Sequence, residues 1–338
     1  MIINKTNIKY ITLTIIVIIL LLIIDRNYTI LEILHPDWFK DINKFPNDKF
    51  DCKTVSNCYS YNQIIDRGYK KMSESRVVFC GLCYNISSKV DNLIKRVEYT
   101  GSKFKDYSMV IFENDSTDNT RFLLKEWSKM NSKVYLVPCD EDIDCKLKRK
   151  RAIYNGPLSK NRMKTMSEYR NRLLNYILAY YHDYDYIIMF DLDIKGPWMI
   201  DGFAHSFGIN KDWDGLFAYG LTSTLLTVSK PIYYDSLAYV DYNTDYYNGK
   251  MTDAFKVAYK LSNLKDKDLI PVNSAFAGIG IYRMSIFTKD KEIRYTPLDN
   301  NYICEHVILH NNMRIKGYNK LYINPYLVVL VGAQGPGA

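Results

Sequence analysis

The spacing of hydrophobic positions changes several times along the chain, and each change marks a predicted element. Tyr10 to Ile24, "YITLTIIVIILLLII", is apolar and uncharged throughout. From residue 25 to 75 periodicity lapses, interrupted by Pro36, Pro46 and scattered Asp, Asn and Lys. A regular alternation begins at Arg76. "RVVFCGLCY" (76 to 84) predicts a strand, and "SSKVDNLIKRVEYTG" (87 to 101) carries apolar residues at helical spacing before a closing glycine. "YSMVIFE" (107 to 113) predicts a second strand, "DSTDNTRFLLKEWSKM" (115 to 130) a helix with Ser and Asp at its start, and "KVYLVPC" (133 to 139) a third strand. "TMSEYRNRLLNYILAYYH" (165 to 182) predicts an amphipathic helix leading into a fourth strand, "YIIMFDLDI" (186 to 194). Strands alternating with helices predict an α/β domain with a mostly parallel central sheet and helices on both faces.

The N-terminal run is short for a membrane helix, which takes roughly 20 apolar residues, yet no small-x-small cleavage site follows it. It reads as an uncleaved signal anchor. Lys5 and Lys9 precede it while Asp25 and Arg26 follow, a bias that leaves the N-terminus in the cytosol. The expected organisation is a cytosolic tail (1–9), a transmembrane anchor (10–24), a stem (25–75) and a catalytic body (76–338). The expectation is a single-pass type II membrane protein with its body in the ER or Golgi-type lumen.

Seven cysteines suit that oxidising compartment, and the odd count leaves at least one unpaired. Cys52 with Cys58, and Cys139 with Cys145, are close enough in sequence to pair. Cys80 and Cys83 form a C-x-x-C inside an apolar strand, with no second pair at zinc spacing, and read as buried structural thiols. With 338 residues and 47% apolar content the chain can bury a sizeable core, which excludes a disordered protein. A net charge of +8 permits an anionic substrate but does not point to nucleic acid. The basic run "KLKRKR" directly follows the acidic "DEDID" and reads as a solvated loop.

The chemistry concentrates at strand ends. "YIIMFDLDIKG" buries four apolar residues and then presents Asp191 and Asp193 across one leucine, where open α/β sheets place ligands. Two neighbouring carboxylates repel unless something positive lies between them, and a divalent cation is the simplest partner. At the end of the second strand, "FENDSTDNT" offers Glu113, Asp115 and a helix N-terminus to a nucleotide's base or ribose; the same residues could equally cap the helix. Arg170 can meet a diphosphate oxygen with its planar fork, or sit in a helix salt bridge. Gly278 and Gly280 allow close backbone approach to a ligand, or a bulge in a strand.

These motifs together resemble the glycosyltransferases of the GT-A fold. "ENDSTDNT" (113 to 120) is similar to their "DDGSTDNT" segment, "YIIMFDLDI" to their D-x-D strand, and "YRNRLL" (169 to 174) to the Arg-Asn pair on the preceding helix. "NSAFAGIGIYR" (273 to 283) resembles their glycine-rich loop, and "CEHVILH" (304 to 310) their closing acidic motif and histidine. The order of "YRNRLL", "DLD", "YYDSLAY" (233 to 239) and "CEH" is also loosely similar to fungal capsule-associated mannosyltransferases. Glu113-Asn114 stands where many relatives have Asp-Asp, and Glu305-His306 where they have Glu-Asp.

The resemblance implies a GT-A-like, Rossmann-like catalytic domain. It implies a UDP- or GDP-sugar donor, a glycan or glycoprotein acceptor, and Mn²⁺ or Mg²⁺ as Lewis acid at the departing diphosphate. Asp193 is the implied direct metal ligand and Asp191 the partner of the ribose or a metal-bound water. His310, with His306 second, is the implied third ligand that would favour Mn²⁺. Arg170, Asn171, Glu113, Asp115, Asp191, Gly278 and Gly280 would bind the donor. Glu305 is the general base if configuration inverts, or orients the acceptor if it is retained. Trp198 is the aromatic placed to stack on a sugar. A haloacid-dehalogenase-like phosphatase also ends a strand in D-x-D, but normally continues with Gly-Thr, whereas this chain reads "DLDIKGP". A membrane-tethered, non-catalytic carbohydrate binder is the other alternative.

Overall fold

The computed structural model describes residues 13–16, 57–137, 160–223, 232–244, 261, 268–299 and 301–333, except Asp115 and Lys195. Among them no helix is long and apolar enough to cross a membrane. The expected anchor lies outside the described residues save Leu13 to Ile16, which are helical.

The body begins earlier than the expected boundary at residue 76. Helix α1 (Cys58–Glu74) starts with the Asn57 side chain accepting from the Ser60 N–H at 3.1 Å, and buries Tyr61, Ile65, Gly68 and Met72, one stripe at helical spacing. That stripe lies against α5 (Ile200–Gly208). A Cβ on Gly68 would meet the Ala204 carbonyl oxygen at 1.7 Å, and one on Gly208 the Ile64 carbonyl at 1.9 Å, so only two glycines allow the helices this close. The last part of the segment read as stem is therefore a packed helix of the domain. Its apolar stripe is interleaved with polar residues along the helix.

The expected alternation then follows as β1 (Arg76–Cys83), α2 (Val90–Gly101), β2 (Asp106–Glu113), α3 (Thr120–Met130), β3 (Val134–Leu136), α4 (Lys160–Tyr180) and β4 (Tyr186–Asp191). The strands β3-β2-β1-β4 run parallel, with Cys80 beside Val110 on one side and Met189 on the other. Their near-continuous apolar sequence fits burial on both faces. Phe79 and Phe190 point to one face, where they pack with Phe104, Trp198 and Phe203. Phe112 and Met189 point to the other, meeting Tyr169 on α4 and Tyr295. By the strand's alternation, Asp191 shares the α4 face with Met189.

Beyond β4 the sheet departs from the mostly parallel expectation. It continues through β5 (Gly215–Ser223), β6 (Ile232–Tyr233), β7 (Val240–Asp241), β8 (Ile270–Ser274) and β9 (Ile279–Arg283). Helices α6 (Met284–Lys289) and α7 (Glu305–Ile315) and strand β10 (Leu321–Ala333) follow. The order is β3-β2-β1-β4-β9-β5-β10-β8-β7, with β6 on β5. β9 enters between β4 and β5 antiparallel to both, and β8 pairs antiparallel with β10 and with β7. The sheet is mixed: β3-β2-β1-β4 form one parallel block, and β5 and β10 pair parallel again beyond the antiparallel β9. "NSAFAGIGIYR", read as a glycine-rich loop, is mostly the end of β8 and the whole of β9.

Candidate functional site

β4 ends on Asp191, whose backbone N–H donates to the Gly278 carbonyl at 2.9 Å. Leu192 then turns into the core and Asp193 is exposed. Under Asp191 lies Arg170, delivered by α4 and buried, with Nη2 at 3.3 Å from Asp191 Oδ1 and Nε at 3.6 Å from Glu305 Oε1. Glu305 occupies the first turn of α7, where the helix dipole favours a carboxylate. The ring of Phe276 covers the guanidinium at 5.5 Å. Arg170 Nε and Nη1 are buried without a hydrogen-bond partner among the described residues, so part of the fork is held by charge alone.

Asp235 joins this cluster, and sequence reasoning gave it no role. It is half-buried at φ +60°, a left-handed conformation that Asp tolerates, and its carboxylate faces the backbone N–H of Ala277, itself at φ +53°. Gly278 follows at φ +93°. The only signal in the sequence was the position of Asp235 within "YYDSLAY"; the turn it meets lies some forty residues on.

Among the described residues, carboxylates outnumber cations here. Burial, reinforced by Asp193 and Glu305, outweighs the pull of Arg170 and pushes the Asp191 carboxyl up to about 7. Burial, then Asp191 and Glu305, push Asp235 well above the usual carboxylate range. Arg170 stays charged because Glu305 and Asp191 offset its burial. Among the described residues no three His, Cys, Asp or Glu side chains stand close enough together to hold a metal ion. What the site offers a cation is the Asp191 and Asp193 pair. That donor set fits a hard divalent ion held by one or two carboxylates, with the rest of its shell taken from a ligand and water.

The remaining expected residues divide. His310 is fully buried, with Nδ1 2.8 Å from Ser274 Oγ and Nε2 2.9 Å from Tyr282 OH. Both nitrogens are thus engaged, which removes it as a metal ligand. His306 stacks on Phe276 at 3.6 Å, and burial holds it neutral. Asn171 is also taken: its Oδ1 accepts from the Tyr295 N–H at 2.8 Å and its Nδ2 donates to Thr296 Oγ1 at 2.9 Å, so it pins a loop instead of a donor. Gly280 lies inside β9 under the Tyr282 ring, where a Cβ would meet the hydroxyl at 2.8 Å; it serves packing.

Glu113 stands at the same sheet edge but binds its own loop, accepting from the Ser116 N–H at 2.8 Å and from Arg121 Nε at 2.5 Å. Asp118 ties that loop to the end of β1 through the Ser87 N–H, while the Thr120 N–H satisfies its second oxygen. Asp115 lies outside the described residues. Trp198 is buried against Phe190 and donates to Thr100 Oγ1 at 2.9 Å, so it is core and cannot stack on a sugar. Cys80 and Cys83 are buried free thiols, and burial raises Cys80 to about 12. Cys58 is disulfide-bonded; Cys52, Cys139 and Cys145 fall outside the described residues.

No family model and no curated protein matches the chain. Similar solved structures include the mannosyltransferase PcManGT from Pyrobaculum calidifontis, in complex with GDP-Man and Mn²⁺. It is 10% identical with a TM-score of 0.40, over 82% of this chain and 65% of that one. TarS from S. aureus is 14% identical with a TM-score of 0.41, over 76% and 36%. Glucosyl-3-phosphoglycerate synthase from Mycobacterium tuberculosis, in complex with phosphoglyceric acid, is 12% identical with a TM-score of 0.43, over 81% and 77%. The chain spans less than two thirds of the first two structures. Likeness at these scores carries no argument about chemistry, which has to come from the residues at the end of β4.

Proposed function

We propose that the chain is a glycosyltransferase that moves a sugar from a UDP- or GDP-sugar to a glycan or glycoprotein hydroxyl, with Mn²⁺ or Mg²⁺ at Asp191 and Asp193. The observation that carries the reading is the charge excess at the end of β4. Asp191 and Glu305 flank the guanidinium of Arg170, and Asp193 and Asp235 add their charge beside Asp191. An acidic site of this kind favours a divalent cation, and the cation in turn supports a diphosphate-bearing donor.

The roles follow from position. Asp193, exposed, and Asp191, held from beneath by Arg170, would hold the metal, which when bound supplies Lewis-acid stabilisation of the departing diphosphate. Arg170 fixes Asp191 and Glu305 relative to each other. Glu305, 3.6 Å from that guanidinium, accepts the acceptor hydroxyl's proton if configuration inverts and orients the acceptor if it is retained. A phosphatase using Asp191 as nucleophile is less well supported, because the arginine pairing withdraws that carboxylate from attack. The anchor at 10–24 would tether the enzyme as a type II membrane protein facing the ER or Golgi-type lumen, a part of the proposal that rests on the apolar run and its flanking charges.

The test is a thermal-shift panel of UDP-glucose, UDP-galactose, UDP-GlcNAc, GDP-mannose and GDP-fucose, with and without Mn²⁺, since a ligand that binds only the native state raises its melting temperature. A shift requiring both Mn²⁺ and one nucleotide class supports the transferase. No shift with any donor in folded protein would sink it.

A further inference from the structure

A groove with basic side chains on a largely apolar lining lies away from the carboxylates. Between the end of α4 and the end of α6, this groove of about 390 Å³ is lined by Asn175, Leu178, His182, Phe287, Lys291 and Arg294. Its volume is in the range of small-ligand pockets. α6 starts directly after Arg283, which pairs with Tyr186 at the opening of β4, so the groove sits at the opposite end of that strand from Asp191.

The arginine in this groove is oriented but not neutralised. Arg294 is half-buried, with Nε donating to Asn175 Oδ1 at 3.0 Å and Nη1 to the Ile293 carbonyl at 2.8 Å. These two bonds fix the plane of the guanidinium and leave Nη2 without a hydrogen-bond partner among the described residues. No carboxylate pairs with Arg294 among the described residues, and burial alone shifts its pKa, downward. The acids nearest in sequence are engaged elsewhere: Glu292 and Asp290 both pair with Lys316. Lys291 and His182 add exposed basic groups at the rim. Leu178 and Phe287 supply an apolar floor.

A half-buried, pre-oriented guanidinium flanked by an ammonium and an imidazole, with neighbouring acids neutralised, suits a phosphate group better than a neutral ligand. We infer that this groove is an anion-binding site for a phosphate or diphosphate group, separate from the site at Asp191 and independent of the chemistry proposed there. The same chemistry could be presented by a free phosphate compound or by a lipid headgroup whose chain lies over the Leu178 and Phe287 floor.

Calorimetric titration of the full chain with inorganic pyrophosphate, in EDTA to silence the metal-dependent site, tests the assignment. The parallel arm uses short-chain dihexanoyl phosphatidic acid. Saturable binding is expected, weakened about tenfold or more by Arg294→Gln. Lys291→Glu, at an exposed position that cannot perturb the core, should weaken it as well, and Asp193→Ala should leave it unchanged. Tighter binding of the phosphatidic acid assigns the site to a lipid headgroup, and equal or weaker binding to a free phosphate. Absence of saturable binding overturns the inference, as does binding that Lys291→Glu leaves intact or that Asp193→Ala abolishes.

Discussion

Arg170 Nη2 sits 3.3 Å from Asp191 Oδ1 while its Nε faces Glu305 Oε1 at 3.6 Å, so one buried guanidinium joins the end of β4 to the start of α7. The cation holds two acidic elements together that would otherwise repel, and it does so under a ring, Phe276, that keeps water out. Removing it should leave buried negative charge unpaired. Arg170→Met is expected to lower stability by about 3–5 kcal/mol in urea denaturation. Arg170→Met with Asp191→Asn should recover part of the loss. A double variant no more stable than the single would show that the pairing is not what the arginine supplies.

Asp193 makes no core contact that the fold needs, since it is exposed just past β4. Asp193→Ala is therefore expected to melt within about 0.5 kcal/mol of the unmodified protein, as surface changes usually do. It should also lose Mn²⁺-dependent stabilisation by nucleotide-sugar and turnover together. Full turnover in this variant would remove the metal from the reading.

Glu305→Gln keeps the shape of the side chain at the start of α7 but not its charge or basicity. If Glu305 takes the acceptor proton, kcat should fall by roughly 10²–10⁴-fold while donor affinity by thermal shift stays nearly unchanged. A loss confined to donor affinity would reassign the residue to binding.

His205 packs between Tyr326 at 4.3 Å and Tyr61 at 6.0 Å, and burial lowers its pKa to about 4 from an ordinary value near 6.5. The unfolded chain takes up a proton near pH 6.5 that the folded chain refuses until about pH 4. The contribution is thus fully present above pH 6.5 and is lost as pH falls toward 4. His205→Phe should flatten this part of the stability curve, by up to about 3 kcal/mol at pH 4. His306 and His310, also held neutral by burial, keep the remaining slope in the same direction. Equal slopes for variant and parent between pH 6.5 and 4, in denaturant titrations, would count against the assignment.

Gly68 tests whether α1 belongs to the body. A methyl group there meets the Ala204 carbonyl oxygen at 1.7 Å, so α1 and α5 must part. Gly68→Ala should cost about 3 kcal/mol or more, the upper end of overpacking penalties. A chain beginning at residue 76 should expose the α5 face and lose cooperative unfolding. One beginning before Asn57 should keep it.

What could be read from the sequence was what depends on neighbours a few residues apart. The alternation from Arg76 to Asp191 carries its own period, two for strands and 3.6 for helices, and those elements stand where expected. So does the placement of Asp191 and Asp193 at a strand end, because an apolar run closed by carboxylates has few other places to go. Pairings between distant residues were a matter for the tertiary structure. β9 could be placed antiparallel between β4 and β5 only once the long connection from β5 had returned. Asp235 reaches the site because its left-handed turn meets the one at Ala277 and Gly278. His310, Asn171 and Gly280 carry motif-like identities, yet Ser274, Tyr295, Thr296 and Tyr282 occupy them, and those contacts follow from register between elements far apart in the chain. A side chain's type fixes which bonds it can make, but only packing decides which groups are within reach to make them.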